Sequence, residues 1–141
     1  MSSQLYQQTM EAIYIEPTPK TPEVNFNAEN GLISMKGRSI PEHTVEFYKP
    51  LHKWIDKYGE SPCSMTNIEI FIEYYNTSSS KSILDLLKRL EGIHENGNDM
   101  LLKWFYEDDD ESLMESGEEF KSMVNIPFEL VPVPVEDDNE E

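Results

Sequence analysis

The sequence has little of several things, and each shortage excludes a class of protein. It contains one cysteine, Cys63, in 141 residues, which excludes a disulfide framework and a cysteine-rich metal site. No window approaches the ~20 consecutive apolar residues that a membrane-spanning helix needs. The first residues lack the basic start and the apolar run of a secretory signal peptide. We therefore expect a cytoplasmic protein of bacterial type with no membrane partner.

Basic residues are scarce as well, because 11 Lys and Arg stand against 28 Asp and Glu, for a net charge of −17. The acids are concentrated in two blocks, eight between Glu107 and Glu119 and five between Glu136 and Glu141. A surface of this sign repels phosphate backbones, so we expect no nucleic-acid partner. Acidic blocks are typical of solvated surface, and a face that docks a basic partner stays open as an alternative.

Sequence signatures of catalysis are missing too. The three histidines, His43, His52 and His94, have no spacing that would hold zinc. No phosphate-binding loop, dinucleotide-binding glycine pattern or serine-nucleophile motif occurs. The acidic run from Asp108 to Glu111 lacks the alternating ligands and the glycine of a calcium loop, and a strand-to-helix turn explains it better. We therefore expect no cofactor and no catalytic activity, and we keep a small metal-dependent enzyme that uses the acidic loop as an alternative.

The composition nevertheless permits a packed core, since 38% of the residues are hydrophobic and 11% are aromatic. A length of 141 residues fits one domain. We assign residues 12–134 to this domain, with a flexible N-terminus at 1–11 and a disordered acidic tail at 135–141. Cys63 is expected to be a small, at least half-buried residue of the domain rather than a nucleophile.

Alternation of apolar and polar residues predicts the strands. The clearest strand runs from Met65 to Tyr75, where isoleucines alternate with polar residues. The segments 24–26 and 32–35 flank Asn30-Gly31, which predicts a β-hairpin because both turn residues tolerate a positive φ. Two further strands are predicted at 100–106 and 128–133.

The first helix is predicted to start near Ser39, with Pro41 at an early position and Gly59 at its end. Pro50 should kink or interrupt this helix. Steps of three and four residues give the helix one buried stripe, which consists of Val45, Tyr48, Leu51, Trp54 or Ile55, and Tyr58.

Two more helices follow from the same periodicity. One covers 83–93 and closes at Asn96-Gly97, and the other covers 110–123, with early acids that complement the helix dipole. The order of elements predicts an α/β (α+β) domain with a mixed β-sheet, an N-terminal β-hairpin and helices packed mainly on one face.

The stretch 74–82 reads YYNTSSSKS and joins the predicted central strand to the second helix. Thr77, Ser78 or Ser79 is expected to cap that helix by accepting hydrogen bonds from its first free N–H groups. The same turn could hold a phosphate, because a helix N-terminus tolerates added negative charge. The residues alone therefore leave a cap and a phosphoacceptor as open alternatives.

Three ordered blocks, IEPTPKTPEVNF, GRSIPEHTVEFYKPLHKW and IFIEYYNTSSSKSILDLLKRLE, resemble the SiaC family of regulatory phosphoproteins. The resemblance implies a fold similar to STAS domains, the anti-sigma-factor antagonists, and aligns Thr77 with the phosphothreonine of the family. The residues that it places around this phosphorylation site as a partner-binding surface are Asn76, Ser78, Ser79, Ser80 and Lys81.

The resemblance also implies a function and a set of partners. The chain would be a non-catalytic partner-switching protein, phosphorylated on Thr77 by a serine/threonine kinase of the histidine-kinase-like ATPase type. A PP2C-type phosphatase would remove the phosphate. The unphosphorylated form would bind and activate a GGDEF diguanylate cyclase, which raises cyclic di-GMP and favours biofilm formation. An anti-sigma-factor-antagonist-like interaction module with another output is the alternative.

Overall fold

The computed structural model describes residues 10–135, so the predictions for residues 1–9 and 136–141 lie outside the described part of the chain. Six strands and three helices follow one another along the described residues. Their bounds are β1 Ile13–Ile15, β2 Glu23–Asn27, β3 Leu32–Ser39, α1 Thr44–Tyr58, β4 Met65–Tyr75, α2 Thr77–Glu95, β5 Asp99–Glu107, α3 Glu111–Met123 and β6 Phe128–Val133.

All six strands form one sheet in which spatial order equals chain order. The first three strands are antiparallel neighbours, whereas β3 to β6 are parallel. Each parallel connection contains one helix, and successive crossovers of one hand place their helices on the same face of the sheet. This arrangement confirms the predicted mixed sheet with helices on one face.

The predicted hairpin is confirmed as β2 and β3, which pair across the turn before Gly31. Gly31 has a φ of 69°, in the region that favours glycine. Any Cβ at this position would lie 2.6 Å from the carbonyl oxygen of Met65, so the turn also needs glycine for space.

The core lies between the sheet and the helices. Alternate residues of β4 and β5 face it, among them Ile68, Ile70, Leu102 and Trp104, each with at most 1% of its surface exposed. On the opposite face the described residues place no helix, and residues such as Phe71 there are half-buried. The strand period predicted from the sequence therefore corresponds to one covered and one open face.

Helix α1 differs from its prediction in three ways. It begins at Thr44 rather than near Ser39, because Ser39 still pairs with β4 as the last residue of β3. Pro50 lies inside the helix without interrupting it. Val45, predicted to be buried, is 75% exposed, since the buried stripe starts from Thr44 and continues through Tyr48.

Two of the remaining elements are longer than predicted, since α2 begins six residues before 83 and β3 ends four residues after 35, and the others follow the predictions closely. Strands β4 and β6 have the predicted bounds, and β5 is one residue longer at each end. Helix α1 ends before Gly59, and α2 ends before Asn96-Gly97, as predicted. Helix α3 starts one residue later than predicted, because Asp110 is its N-cap and accepts a hydrogen bond from the backbone N–H of Leu113.

Candidate functional site

Strands β3, β4 and β5 end at one edge of the sheet, and the three helices begin there. In open sheets with parallel strands, this carboxyl edge is where ligands usually bind. The backbone N–H of Asn76 donates to the carbonyl oxygen of Ser39 at 3.3 Å, which fixes the turn between β4 and α2 beside the end of β3. The hydroxyl run thus lies at the edge where function is expected.

Asn76 caps α2, which corrects the prediction that Thr77, Ser78 or Ser79 does so. Its Oδ1 accepts a hydrogen bond of 2.9 Å from the backbone N–H of Ser79, and its own backbone is extended. Thr77 is already the first helical residue, so the capping position falls one residue earlier. The cap frees the hydroxyl groups of the run for other contacts.

The hydroxyl groups of the run differ in exposure. Thr77 and Ser78 are exposed, Ser79 is buried, and Ser80 is half-buried. Within residues 10–135, the hydroxyl of Thr77 has no hydrogen-bond partner. The hydroxyl of Ser78 lies 3.0 Å from Oγ1 of Thr44 and donates to Oδ1 of Asn76 at 3.3 Å. Among Thr77, Ser78 and Ser79, Thr77 is therefore the residue that is exposed and whose hydroxyl makes no hydrogen bond within residues 10–135.

Ser79 belongs to a buried network that joins β3, α1 and α2. Oγ of Ser39 donates to Oγ of Ser79 at 2.8 Å and lies 2.7 Å from the phenol oxygen of Tyr48. Because Ser39 uses its single proton on Ser79, Tyr48 donates to Ser39. All three residues are 0% exposed. The Ser79 side chain thus supports the turn from inside, and its burial removes it from the surface that a partner can touch.

Burial also sets the protonation of this network. Desolvation raises the pKa of Tyr48 to about 12, although the hydrogen bonds with Ser39 and Ser79 act in the opposite direction. Loss of the buried phenol's water shell disfavours the charged phenolate. Tyr48 therefore remains a hydrogen-bond donor at neutral pH.

Helices α1 and α2 are held together along their length. Arg89 forms ion pairs with Asp56 of α1 and, at 2.8 Å, with Asp85 of its own helix. Nε2 of His52 lies 2.9 Å from the carbonyl oxygen of Ser82. These contacts keep the N-terminus of α1 beside that of α2, where Thr44 meets Ser78.

Exposed apolar surface flanks the hydroxyl run on two sides. Val45 is 75% exposed and follows Thr44, while Tyr74 is 53% exposed and precedes Asn76 by two residues. The guanidinium carbon of Arg38 lies 5.4 Å from the centre of the Tyr74 ring. The exposure of Val45 was not predicted from the sequence, because its helical spacing matches that of the buried stripe. Lys81, which was included in the predicted surface, is exposed on the first turns of α2.

The side of this edge toward α3 is acidic. Glu73, Asp110 and Glu111 lie where β4 ends and α3 begins. The ring of Tyr75 packs 6.2 Å from that of Phe120 of α3, and burial raises the pKa of its phenol. The acidic run of 108–111 thus forms a strand-to-helix turn, as its sequence predicted.

Within residues 10–135, no group of three or more His, Cys, Asp or Glu side chains is arranged to hold a metal ion. None of the helices between these residues has the length and apolar character to cross a membrane. Cys63 is half-buried, as predicted, and its Sγ donates to the carbonyl oxygen of Ala28 at 3.1 Å.

Comparison with known proteins agrees with the family resemblance. A family model described as SiaC family regulatory phosphoprotein matches residues 15–133. An uncharacterised protein of Pseudomonas aeruginosa strain UCBPP-PA14 is 30% identical over 121 residues, which cover 86% of this chain and 96% of the relative.

Solved structures agree as well. The crystal structure of apo-SiaC from Pseudomonas aeruginosa matches with a TM-score of 0.81 and 29% identity, over 86% of this chain and 99% of that one. A chain in the crystal structure of the diguanylate cyclase SiaD in complex with its activator SiaC, from the same organism, matches with a TM-score of 0.82 and 29% identity. That match also covers 86% of this chain and 99% of the other.

Proposed function

The chain belongs to the SiaC family of regulatory phosphoproteins, and on this premise we propose that it is a non-catalytic partner-switching protein. Its unphosphorylated form binds and activates a GGDEF diguanylate cyclase, and so raises cyclic di-GMP and favours biofilm formation. The similarity to SiaC, which was crystallised with the diguanylate cyclase SiaD as its activator, supports this partner.

The switch is reversible phosphorylation of Thr77. The observation that carries this assignment is that, among the hydroxyl groups of the α2 first turn, Thr77 is exposed and has no hydrogen-bond partner within the described residues. A kinase needs access to a hydroxyl that is free to rotate. Ser78 is exposed but hydrogen-bonded, and Ser79 is buried. Thr77 is therefore the acceptor that the turn presents best.

The surface around Thr77 suits a protein partner. We assign to it Val45, Tyr74, Asn76, Thr77, Ser78, Ser80 and Lys81, and we call this set the edge surface. Exposed aromatic side chains such as Tyr74 are enriched at docking sites, and Val45 adds exposed apolar surface. Because the chain carries a net charge of −17, the matching surface of the cyclase should be neutral or basic.

Phosphorylation opposes docking by electrostatics and desolvation. A phosphothreonine adds up to about two negative charges at the centre of the edge surface. The nearby acids Glu73 and Asp110 already make this region negative, so the added charge finds few compensating groups on that side. A partner that buries this surface must strip water from the phosphate, which weakens its binding.

Two further enzymes complete the proposed cycle. A serine/threonine kinase of the histidine-kinase-like ATPase type transfers the phosphate to Thr77, and a PP2C-type phosphatase hydrolyses it. Both enzymes must reach Thr77 from solvent, and the exposure of its side chain permits this. The cyclase and the kinase then compete for the same edge surface.

The test compares charge states at Thr77. We expect Thr77→Ala to bind and activate the cognate GGDEF diguanylate cyclase as the wild type does. Thr77→Asp and the enzymatically phosphorylated protein should bind more weakly by roughly 5- to 150-fold, the usual range of coupling between two sites. Calorimetry measures the binding, and production of cyclic di-GMP measures the activation.

A matched control separates local charge from net charge. Ser122 is exposed near the end of α3, far along the chain from the edge surface, and Ser122→Asp adds the same charge there. We expect Ser122→Asp to bind the cyclase normally. Equal binding by Thr77→Asp and Thr77→Ala would contradict the switch, and phosphorylation found only at other residues would contradict the site.

A further inference from the structure

Thr77 and Ser78 are adjacent, exposed and both carry hydroxyl groups, yet the structure treats them differently. Ser78 has two hydrogen-bond partners, Thr44 at 3.0 Å and Asn76 at 3.3 Å. Thr77 has none among residues 10–135. A kinase that reaches one of these side chains comes within a residue of the other. The different hydrogen bonding of the two hydroxyls gives the chain a means of deciding which one is modified.

The direction of the two hydrogen bonds follows from counting protons. Ser78 has one hydroxyl proton and donates it to Oδ1 of Asn76. Thr44 must then donate its own proton to Oγ of Ser78. One lone pair of the Ser78 oxygen is thus occupied, and its proton is held by an amide oxygen that already accepts from the backbone of Ser79.

Phosphoryl transfer requires the opposite state of the hydroxyl. The acceptor oxygen forms a bond to the γ-phosphorus of ATP, while the bond from that phosphorus to the bridging oxygen breaks and ADP leaves with the electron pair. The hydroxyl proton passes to a base of the kinase. A lone pair aimed at the phosphorus and a movable proton are therefore both needed. The two hydrogen bonds leave Ser78 one lone pair, fix the direction of its hydroxyl and hold its proton on Asn76.

We propose that Thr44 is a specificity-determining residue, which holds the Ser78 hydroxyl and so restricts phosphorylation to Thr77. This inference rests on the proposed function, because it concerns the choice of acceptor at the same site. Thr44 is the first residue of α1 and only 9% exposed, so its side chain has little freedom.

The packing of α1 against α2 keeps Thr44 in place. Arg89 links the two helices through Asp56, and His52 contacts the carbonyl oxygen of Ser82. The position of Thr44 beside Ser78 is therefore a property of the packed helix pair rather than of a mobile loop.

The experiment uses full-length chains in which Thr77 is absent. Three variants are incubated with ATP and the cognate serine/threonine kinase: Thr77→Ala, Thr77→Ala with Thr44→Val, and Thr77→Ala with Thr44→Ser. Site-resolved mass spectrometry then measures phosphate on Ser78. Valine keeps the shape of threonine and removes the hydroxyl, whereas serine keeps the hydroxyl.

We expect Thr77→Ala alone to accept little phosphate. Thr44→Val should raise the rate on Ser78 by about fivefold or more, as the loss of one hydrogen bond allows, and Thr44→Ser should restore protection. Tyr48→Phe in the Thr77→Ala background removes a hydroxyl from the neighbouring buried network and should leave Ser78 protected. Circular dichroism confirms that each variant is folded.

Each remaining outcome decides one of the two ideas. The role of Thr44 would be overturned if Ser78 were phosphorylated equally in three chains: Thr77→Ala alone, Thr77→Ala with Thr44→Val, and Thr77→Ala with Thr44→Ser. Modification of Thr77 in the wild type would leave the proposed function intact in that case. A wild-type chain that the kinase leaves unmodified on Thr77 would overturn the proposed function and the inference together.

Discussion

Helix α1 carries a buried phenol near each of its ends, and the two phenols lie at opposite ends of the parallel strands. Tyr48 contacts Ser39 at 2.7 Å, near the end of β3. Tyr58 contacts Thr66 at 2.7 Å, near the start of β4, and accepts a hydrogen bond of 3.1 Å from the backbone N–H of Cys63. The chemistry is the same, but the surroundings differ.

Toward Thr66 the cluster of Tyr58 ends inside the protein, because Thr66 is 0% exposed. Toward Cys63 it reaches only a half-buried residue. The cluster of Tyr48 continues through Ser79 to the first turn of α2, where Asn76 and Thr77 meet solvent. A buried tyrosine hydroxyl thus serves packing at one end of the sheet. At the other end it also supports a surface that we assign to partner binding.

The largest expected difference between the two ends concerns binding. Val45 at the carboxyl end and Met65 at the amino end are both exposed, 75% and 39% respectively. We expect Val45→Asp to weaken binding of the diguanylate cyclase by about a hundredfold, because it replaces an apolar contact by a carboxylate that the partner would have to desolvate. Met65→Asp should leave the dissociation constant, measured by calorimetry, unchanged.

Stability provides the control for this comparison. Substitutions at exposed positions usually change the free energy of unfolding by less than ~0.5 kcal/mol, so both variants should unfold in urea as the wild type does. If the cyclase binds the Val45→Asp variant normally but does not bind the Met65→Asp variant, the docking surface lies at the amino end of the parallel strands instead.

The second prediction concerns stability, and here the larger effect is expected at the amino end of the parallel strands. Tyr58→Phe leaves the buried hydroxyl of Thr66 and the N–H of Cys63 without their partner, so it should lower the free energy of unfolding by ~2 kcal/mol. Tyr48→Phe should lower it by ~1 kcal/mol, because Ser39 keeps Ser79 as a partner. Urea denaturation measures both, and a larger loss for Tyr48→Phe would contradict the assignment of roles.

Much of the fold could be predicted from the sequence, because the central strand and the second helix have strong periodicity of their own. The alternation of isoleucines in β4 requires one buried face whatever the neighbours are. The start of α1 was harder to predict. The sequence after Ser39 has the features of a helix start, but Ser39 itself pairs with β4 in the sheet. Tertiary pairing overrides a local pattern there.

The site was predictable in place but not in detail. A hydroxyl run between a strand and a helix must lie at the carboxyl edge of the sheet, and the sequence shows this. The hydrogen bonds of the Ser79 and Ser78 hydroxyls depend on Ser39 and Thr44, which are more than 30 residues away in the chain. The burial of Ser79 matches the helical spacing of Ile83 and Leu86. Its hydrogen bond with Ser39 leaves no local signal, and the exposure of Val45 could not be read from spacing.

The smallest expected effect is a pH dependence confined to alkaline solution. Burial raises the pKa of Tyr48 from 10.0 to about 12, so the unfolded chain loses this proton at lower pH than the folded chain does. The stabilisation is fully present below pH 10 and is lost by about 1.4 kcal/mol for each pH unit as the pH rises toward 12. Tyr48→Phe has no such proton.

The advantage of ~1 kcal/mol that the wild type holds over Tyr48→Phe should therefore disappear by about pH 11, when both are unfolded in urea and followed by far-ultraviolet circular dichroism. Tyr58→Phe offers the matching test at the amino end, because burial also raises the pKa of Tyr58. If the difference in the free energy of unfolding between the wild type and Tyr48→Phe stays constant through the alkaline range, the phenol of Tyr48 has the same pKa in the folded and in the unfolded chain. The network of Ser39, Tyr48 and Ser79 would then be open to water at the edge surface. The turn that carries Thr77 would in that case be held by the Asn76 cap alone.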